Sequence, residues 1–326
     1  MPPDVVSLPL AASRWALACA GAVVAGIIAV RAARGARGST AVPAALWGVA
    51  ACAGLAFDCG LRAGGLVTQP SAAASLRLLT TALMVCPAMS LLGAKRPQHG
   101  VWQLIVASLA VILLLPALST LLARPGSVPD MHLLGRGFLL LLAAVGWMNF
   151  VATRSGLAAT LVFLGQLLVI RGFLPLVDTE NAFPPNGSSA ASIAAAWDIA
   201  AAWSMACGGL LAWIGAVRTR RANSPPATFA AAVDPAYRAL RETLGAAWAL
   251  RIAERFDAIA TSRGWPCRLS FQGVCPADAP IDGPWQHDAR RALAALLRRF
   301  VTPAWLVRHQ WPASGKGKLA PNEPAR

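Results

Sequence analysis

The chain has 326 residues, of which 56% are hydrophobic and only 13% charged, against about 25% charged in an ordinary soluble protein. That deficit excludes a wholly water-facing surface for most of the polypeptide. Net charge is +15, carried almost entirely by arginine, with lysine only at Lys95, Lys316 and Lys318. The basic residues are scattered over many short segments rather than gathered on one face, which argues for a membrane protein with basic loops and against nucleic-acid binding.

About 20 mainly apolar residues are needed to cross a hydrocarbon core as a helix. Seven stretches meet that requirement, at residues 10–30, 42–61, 76–94, 102–122, 133–151, 157–177 and 192–217. The expected fold is an all-α membrane protein, a seven-transmembrane-helix bundle over residues 1–221 followed by a small helix-strand-helix cytoplasmic module. Arg14 interrupts the first stretch and Asp58 the second. The first is not a cleaved signal, because Asp4 precedes it while Arg31, Arg34 and Arg37 follow it, the reverse of a signal's charge order.

Seven crossings with the N-terminus outside put Arg31, Arg34, Arg37, Lys95, Arg96, Arg154, Arg218, Arg220 and Arg221 in the cytoplasm. The other side then holds Arg14, Arg62, Arg77, Arg124, Arg136 and Arg171. Nine basic residues against six favour N-out, C-in. Trp15, Trp102 and Trp213 fall near span ends and are expected as headgroup anchors.

Charges inside a span are costly and mark candidate sites. Arg171 near the end of the sixth span and Asp198 near the start of the seventh reach similar depth on neighbouring antiparallel helices, so an intramembrane ion pair is expected between them. It serves either as a helix pin or as a polar site for a solute. A weaker outer-side pair is Asp58 with Arg77, both near enough to the interface to snorkel. Gln103, Asn149 and Gln166 are candidates for hydrogen bonds between helices. The seventh span has small residues at Ala196, Ala200, Ser204, Gly208, Ala212 and Ala216, and on its other side at Ala195, Ala202, Ala206 and Gly209. Backbones can approach it closely on both sides, which predicts a place in the middle of the bundle. Pro87 and Pro116 each remove a hydrogen bond within their spans.

No C-x-x-C, histidine pair at zinc spacing, H-E-x-x-H, G-x-S-x-G or P-loop is present, and no histidine or lysine lies deep in a span. These patterns give no catalytic, metal or cofactor site, and exclude a buried bis-histidine haem and a retinal Schiff base.

Residues 222–233, with Pro225 and Pro226, read as a linker. The module at 234–311 is expected to open with a single amphipathic helix, capped by Asp234, with Pro235 in its first turn and Gly264 after its end. A strand follows within Trp265–Val274, where Leu269 and Phe271 alternate with Arg268 and Ser270. A second helix, Trp285–Val301, sets Leu293, Leu296, Leu297 and Phe300 against Arg290, Arg291, Arg298 and Arg299, which are candidates for binding anionic headgroups. Two helices and a strand are a small core, so a protein partner or the bilayer is expected to support it. Residues 312–326 are expected to be disordered.

The segment LGAAWALRIAERFDAIATSRGWPCRLSFQGV from Leu244, with LGAKRPQHGVWQ from Leu92, resembles a group of bacterial multi-pass membrane proteins with a cytoplasmic tail. The resemblance implies a location in the inner membrane and no particular activity. The functional expectation is a non-enzymatic scaffold or regulator acting through the module; the alternative is a small-solute transporter or channel using Arg171 and Asp198. A lipid-modifying enzyme would need converging polar groups that these spans do not offer.

Overall fold

The computed structural model describes residues 4–95, 99–123, 126–174, 183–184, 188–219, 228–276 and 284–311. The chain forms two compact units, Met1–Asn223 with Arg241–Trp248, and Ser224–Leu240 with Ala249–Arg326.

The first unit holds α1 (Asp4–Gly35), α2 (Val42–Ala63), α3 (Pro70–Leu92), α4 (His99–Ala123), α5 (Leu133–Val151), α6 (Gly156–Ile170) and α7 (Ser189–Thr219). A 3₁₀ turn, Arg171–Phe173, completes α6. Seven of the described helices are long and apolar enough to cross a membrane. Their outward surfaces carry Ile27, Phe57, Leu104, Ile112, Leu141, Met148 and Leu157, each at least half exposed. So much exposed aliphatic surface is unfavourable in water, and it suggests a multi-pass membrane protein.

The sixth helix ends at Phe173, four residues before the expected limit at residue 177. Leu174 adopts extended backbone, as the residue before a proline is pushed to do, and Pro175 follows it. Centrality also differs from expectation. Half of α3's span is buried against 28% of α7's, so α3 rather than the last helix is the centre of the unit. The small residues of α7 do admit close neighbours. A Cβ on Gly208 would lie 2.7 Å from the Ala158 carbonyl of α6, and one on Gly209 3.0 Å from Ile28 of α1. The third side of α7, bearing Trp197, Leu211 and Trp213, faces outward.

In the second unit, a helix begins at Phe229 within the expected linker, and Pro235 lies inside it rather than in its first turn. Asp234 is not an N-cap. Its carboxylate accepts from Val274 N at 2.9 Å and from Arg238 Nη2 at 2.7 Å. The expected single long helix is two, α8 (Phe229–Leu244) and α9 (Ala246–Ser262), broken at Gly245 with φ +87°, where a glycine is needed. One strand becomes an antiparallel hairpin, β1 (Arg268–Ser270) with β2 (Gly273–Cys275), pairing Leu269 with Val274. Asp257 of α9 accepts from Leu269 N at 2.6 Å, so carboxylates from both helices fasten the hairpin. The last expected helix, α10, is shorter than expected, Gln286–Leu297, and a further short helix, α11 (Pro303–Arg308), capped by Thr302, follows it beyond the expected limit at Val301. Tyr237, Phe256, Leu269, Leu293 and Trp305 are fully buried. The tail beyond Trp311 and the linker's first half lie outside the described residues.

The break at Gly245 falls in the segment that packs with the first unit. Asn149 of α5 donates from Nδ2 to Leu244 O at 2.9 Å and accepts from Ala247 N at 3.0 Å through Oδ1. One amide thus caps both the last turn of α8 and the first turn of α9. Trp248 Nε1 donates to Leu91 O at 2.8 Å, and Ser155 Oγ donates to Glu242 at 3.3 Å. A Cβ on Gly245 would collide with the Asn149 side chain. Gly245→Ala is therefore expected to cost more than about 1 kcal/mol. Gly48→Ala in α2, where a Cβ meets nothing within 4 Å, should be neutral or stabilising. Thermal unfolding of the purified variants in detergent compares the two.

Candidate functional site: a buried arginine and aspartate network

Asp58 and Arg62 stand one turn apart on α2, Arg77 on α3, Arg171 in the turn after α6, and Asp198 on α7. Arg62 and Arg171 lie at the C-terminal ends of α2 and α6, and Arg77 and Asp198 lie about two turns inside the N-terminal ends of α3 and α7, so the alternating helix directions bring all five toward one end of the bundle. Asp198 is 0% exposed and is held from two sides. Arg77 grips it with a fork, Nη1 to Oδ1 at 2.8 Å and Nη2 to Oδ2 at 2.5 Å, and Arg171 Nη1 donates to Oδ1 at 2.7 Å. Arg77 Nη2 also lies 2.7 Å from Asp58 Oδ2, an ionic contact without hydrogen-bond geometry. Arg62 Nε closes the chain on Asp58 Oδ1 at 2.7 Å.

The two pairs expected from the sequence are therefore one network. Asp58 and Arg77 do not snorkel: they are 0% and 2% exposed, because each finds its counter-charge inside the bundle. Arg62 was legible only as a basic residue near a span end. Its i,i+4 spacing from Asp58 was the available signal. What spacing within a helix cannot give is the Arg77 to Asp198 fork, which joins residues 121 positions apart.

Backbone carbonyls take up further guanidinium protons. Arg62 Nη2 donates to Ala73 O at 2.9 Å, Arg171 Nη1 to Leu168 O at 2.6 Å and Arg171 Nη2 to Ala194 O at 3.1 Å. Arg14 of α1 donates to both the carbonyl and the hydroxyl of Ser192. Trp15, expected at the headgroups, is instead 2% exposed, with the Arg62 guanidinium 5.0 Å from its ring centre. Such a contact strengthens as water is withdrawn. Trp213 does lie at the surface, 39% exposed and 5.8 Å from Arg31.

A cleft of about 10 Å³ reaches the network, lined by Trp15, Arg62, Arg77, Arg171, Ala194 and Asp198, among others. It has room for about one water molecule. Trp15 Nε1 and Arg77 Nε are buried without a hydrogen-bond partner, and a water there is the natural one for such groups. Among the described residues no group of three or more histidine, cysteine, aspartate or glutamate side chains is placed to hold a metal ion.

The polar residues expected between spans have distinct roles. Gln103 accepts from Trp47 Nε1 at 3.0 Å and donates to Ser90. Gln166 ties α6 to α3 through Met84 O at 3.1 Å. Asn149 holds the Gly245 break instead. In the second unit Arg291, Arg298 and Arg299 are exposed and Arg290 is half-buried, while Leu293, Leu296, Leu297 and Phe300 are buried.

No family model, curated protein or solved structure matches the chain.

Removing one member of a buried network leaves its partners charged and unpaired, at about 3–5 kcal/mol. Asp198→Asn is expected to lose that much stability, since it strips both Arg77 and Arg171. Asp130→Asn is the control, because Asp130 pairs with Arg136 at 2.8 Å while 82% exposed, where a pair contributes about 0–1 kcal/mol. Equal denaturation midpoints for the two variants in detergent would refute the assignment.

Proposed function

We propose that this chain is a multi-pass protein of a bacterial inner membrane, N-terminus outside and C-terminus in the cytoplasm. It is non-enzymatic and organises or regulates a partner through its C-terminal unit, and the Arg/Asp network pins its helices. The observation that carries this reading is the closure of Asp198: no surface is exposed, two guanidinium groups are bound, and the cleft beside it accommodates about one water. A conducted solute needs a roomier and less occupied polar site.

The orientation rests on the excess of arginine and lysine in the loops assigned to the cytoplasm. The assignment to an inner membrane rests on the resemblance of the Leu244–Val274 and Leu92–Gln103 segments. The module's role rests on a basic, exposed row at Arg291, Arg298 and Arg299 beside a well-formed core. Such a row favours anionic headgroups, each basic residue near the surface contributing about 1 kcal/mol, or an acidic partner protein.

A transport reading keeps one observation in its favour. Arg171 retains 24% side-chain exposure beside the cleft, so the network can be reached from outside. Arg171→Gln and Asp198→Asn, expressed from the native locus, separate the two. Pinning predicts that the protein disappears from membranes together with any growth phenotype. Normal abundance with a lost phenotype would replace pinning by transport.

Topology has a native probe. Cys275 is exposed, while Cys267 is 3% exposed, and burial, with Asp257 nearby, pushes its thiol up to about 11. A membrane-impermeant maleimide at pH 7.5 is expected to label Cys275 in inverted inner-membrane vesicles and not in intact spheroplasts, with Cys267 unreactive in both. Labelling in spheroplasts would reverse the orientation.

A further inference from the structure

A groove of about 640 Å³ runs between α1 and α2 on the outer surface of the first unit. This lies within the range of about 300–1,000 Å³ typical of ligand sites. Small residues, Ala22, Gly26, Ala53 and Ala56, line it along with Val23, Ile27 and Val30, and Arg31 and Arg34 stand at one end. We propose that it holds an anionic phospholipid of the cytoplasmic leaflet, with an acyl chain along the groove and the headgroup phosphate at Arg31 and Arg34. The inference rests on the reading of the bundle as membrane-spanning with its Arg31 end in the cytoplasm.

Length and charge choose this occupant. From Ala22 to Arg31 the groove follows nine helical steps, roughly 14 Å, and half of a hydrocarbon core about 30 Å thick is about 15 Å. The apolar part is thus one leaflet deep, and the guanidinium groups fall at headgroup level. Both arginines are exposed. Arg31 also lies over Trp213, which steadies it beside the groove mouth. Neither makes an ion pair with a described carboxylate. The floor is low where the chain would lie: Gly26 has only Cys52 Cβ near, at 3.5 Å from where its own Cβ would be, and Ala53 is exposed. A second helix of another copy could use the same small residues, but it would bring no anion to the arginine end.

The test uses the full chain, purified in mild detergent and titrated with phosphatidylglycerol or phosphatidylcholine, with adducts counted by native mass spectrometry. Arg34→Gln should weaken phosphatidylglycerol binding about fivefold and Arg31→Gln with Arg34→Gln about 25-fold, leaving phosphatidylcholine unchanged. Ala53→Trp, which fills the groove from an exposed position, should reduce adducts of both lipids. Identical phosphatidylglycerol titrations for wild type and all variants would overturn the site. So would a protein dimer that Ala53→Trp dissociates, which would make the groove a contact between copies. Carbonate extraction of the wild type distinguishes a failure of the underlying reading, because a chain released by carbonate does not span the membrane, whatever it binds.

Discussion

Five formal charges, from Asp58, Arg62, Arg77, Arg171 and Asp198, share a region almost without solvent, and their mutual arrangement decides where four helix ends can be. A carboxylate in such a place is tolerable only if its counter-charges are close and well aimed. Arg77 meets that condition by geometry: its planar fork matches both oxygens of Asp198, which an ammonium group could not do. Because Arg77 also touches Asp58, a shift of α3 by a single turn would uncouple α2 and α7 together. The central place of α3 in the bundle follows from this double attachment as much as from its apolar burial.

Close packing and charge act at different heights of the same helices. Toward the far end, Gly165 and Gly208 let α6 and α7 approach until backbone atoms nearly touch. Ser204 Oγ, donating to Leu161 O at 2.7 Å, adds a hydrogen bond between these two close approaches. In a bilayer, helix association lacks a hydrophobic drive, and packing of small residues with interhelical hydrogen bonds takes its place. The contact of α6 with α7 uses both, and the charged network adds the second in ionised form.

How much of this was legible in the sequence depends on range. Apolar runs located seven helices because length and hydropathy are local properties. Arg171 and Asp198 stood out because charges in apolar runs are rare. What could not be read was which partner each charge finds. Arg77 belongs to Asp198 as much as to Asp58, and that choice is made by the packing of α3 between α2 and α6. In α8 and α9 the misses have the opposite cause. Gly245 sits in an uninterrupted helical periodicity, and only the Asn149 amide, nearly a hundred residues away, shows why the chain turns there. Asp234 followed by Pro235 looks like a helix start, yet the carboxylate is used to fasten β2, and Pro235 lies early enough in α8 for the helix to absorb it.

The placement of the network also bears on assembly. Arg62 and Arg171 lie at the ends of their helices, whereas Asp58, Arg77 and Asp198 lie five to nine residues from an end of theirs. Burial of these charges is favourable only when all partners are present, since Asp198 needs Arg77 and Arg171, and Arg77 needs both aspartates. Pairing any two helices leaves at least one ion half-satisfied in an apolar setting. The network thus favours the complete set of α2, α3, α6 and α7 over its partial assemblies, and α1 joins by laying Trp15 against Arg62 and Arg14 against Ser192. Such mutual dependence accounts for charges that are costly one by one and yet held together in one network.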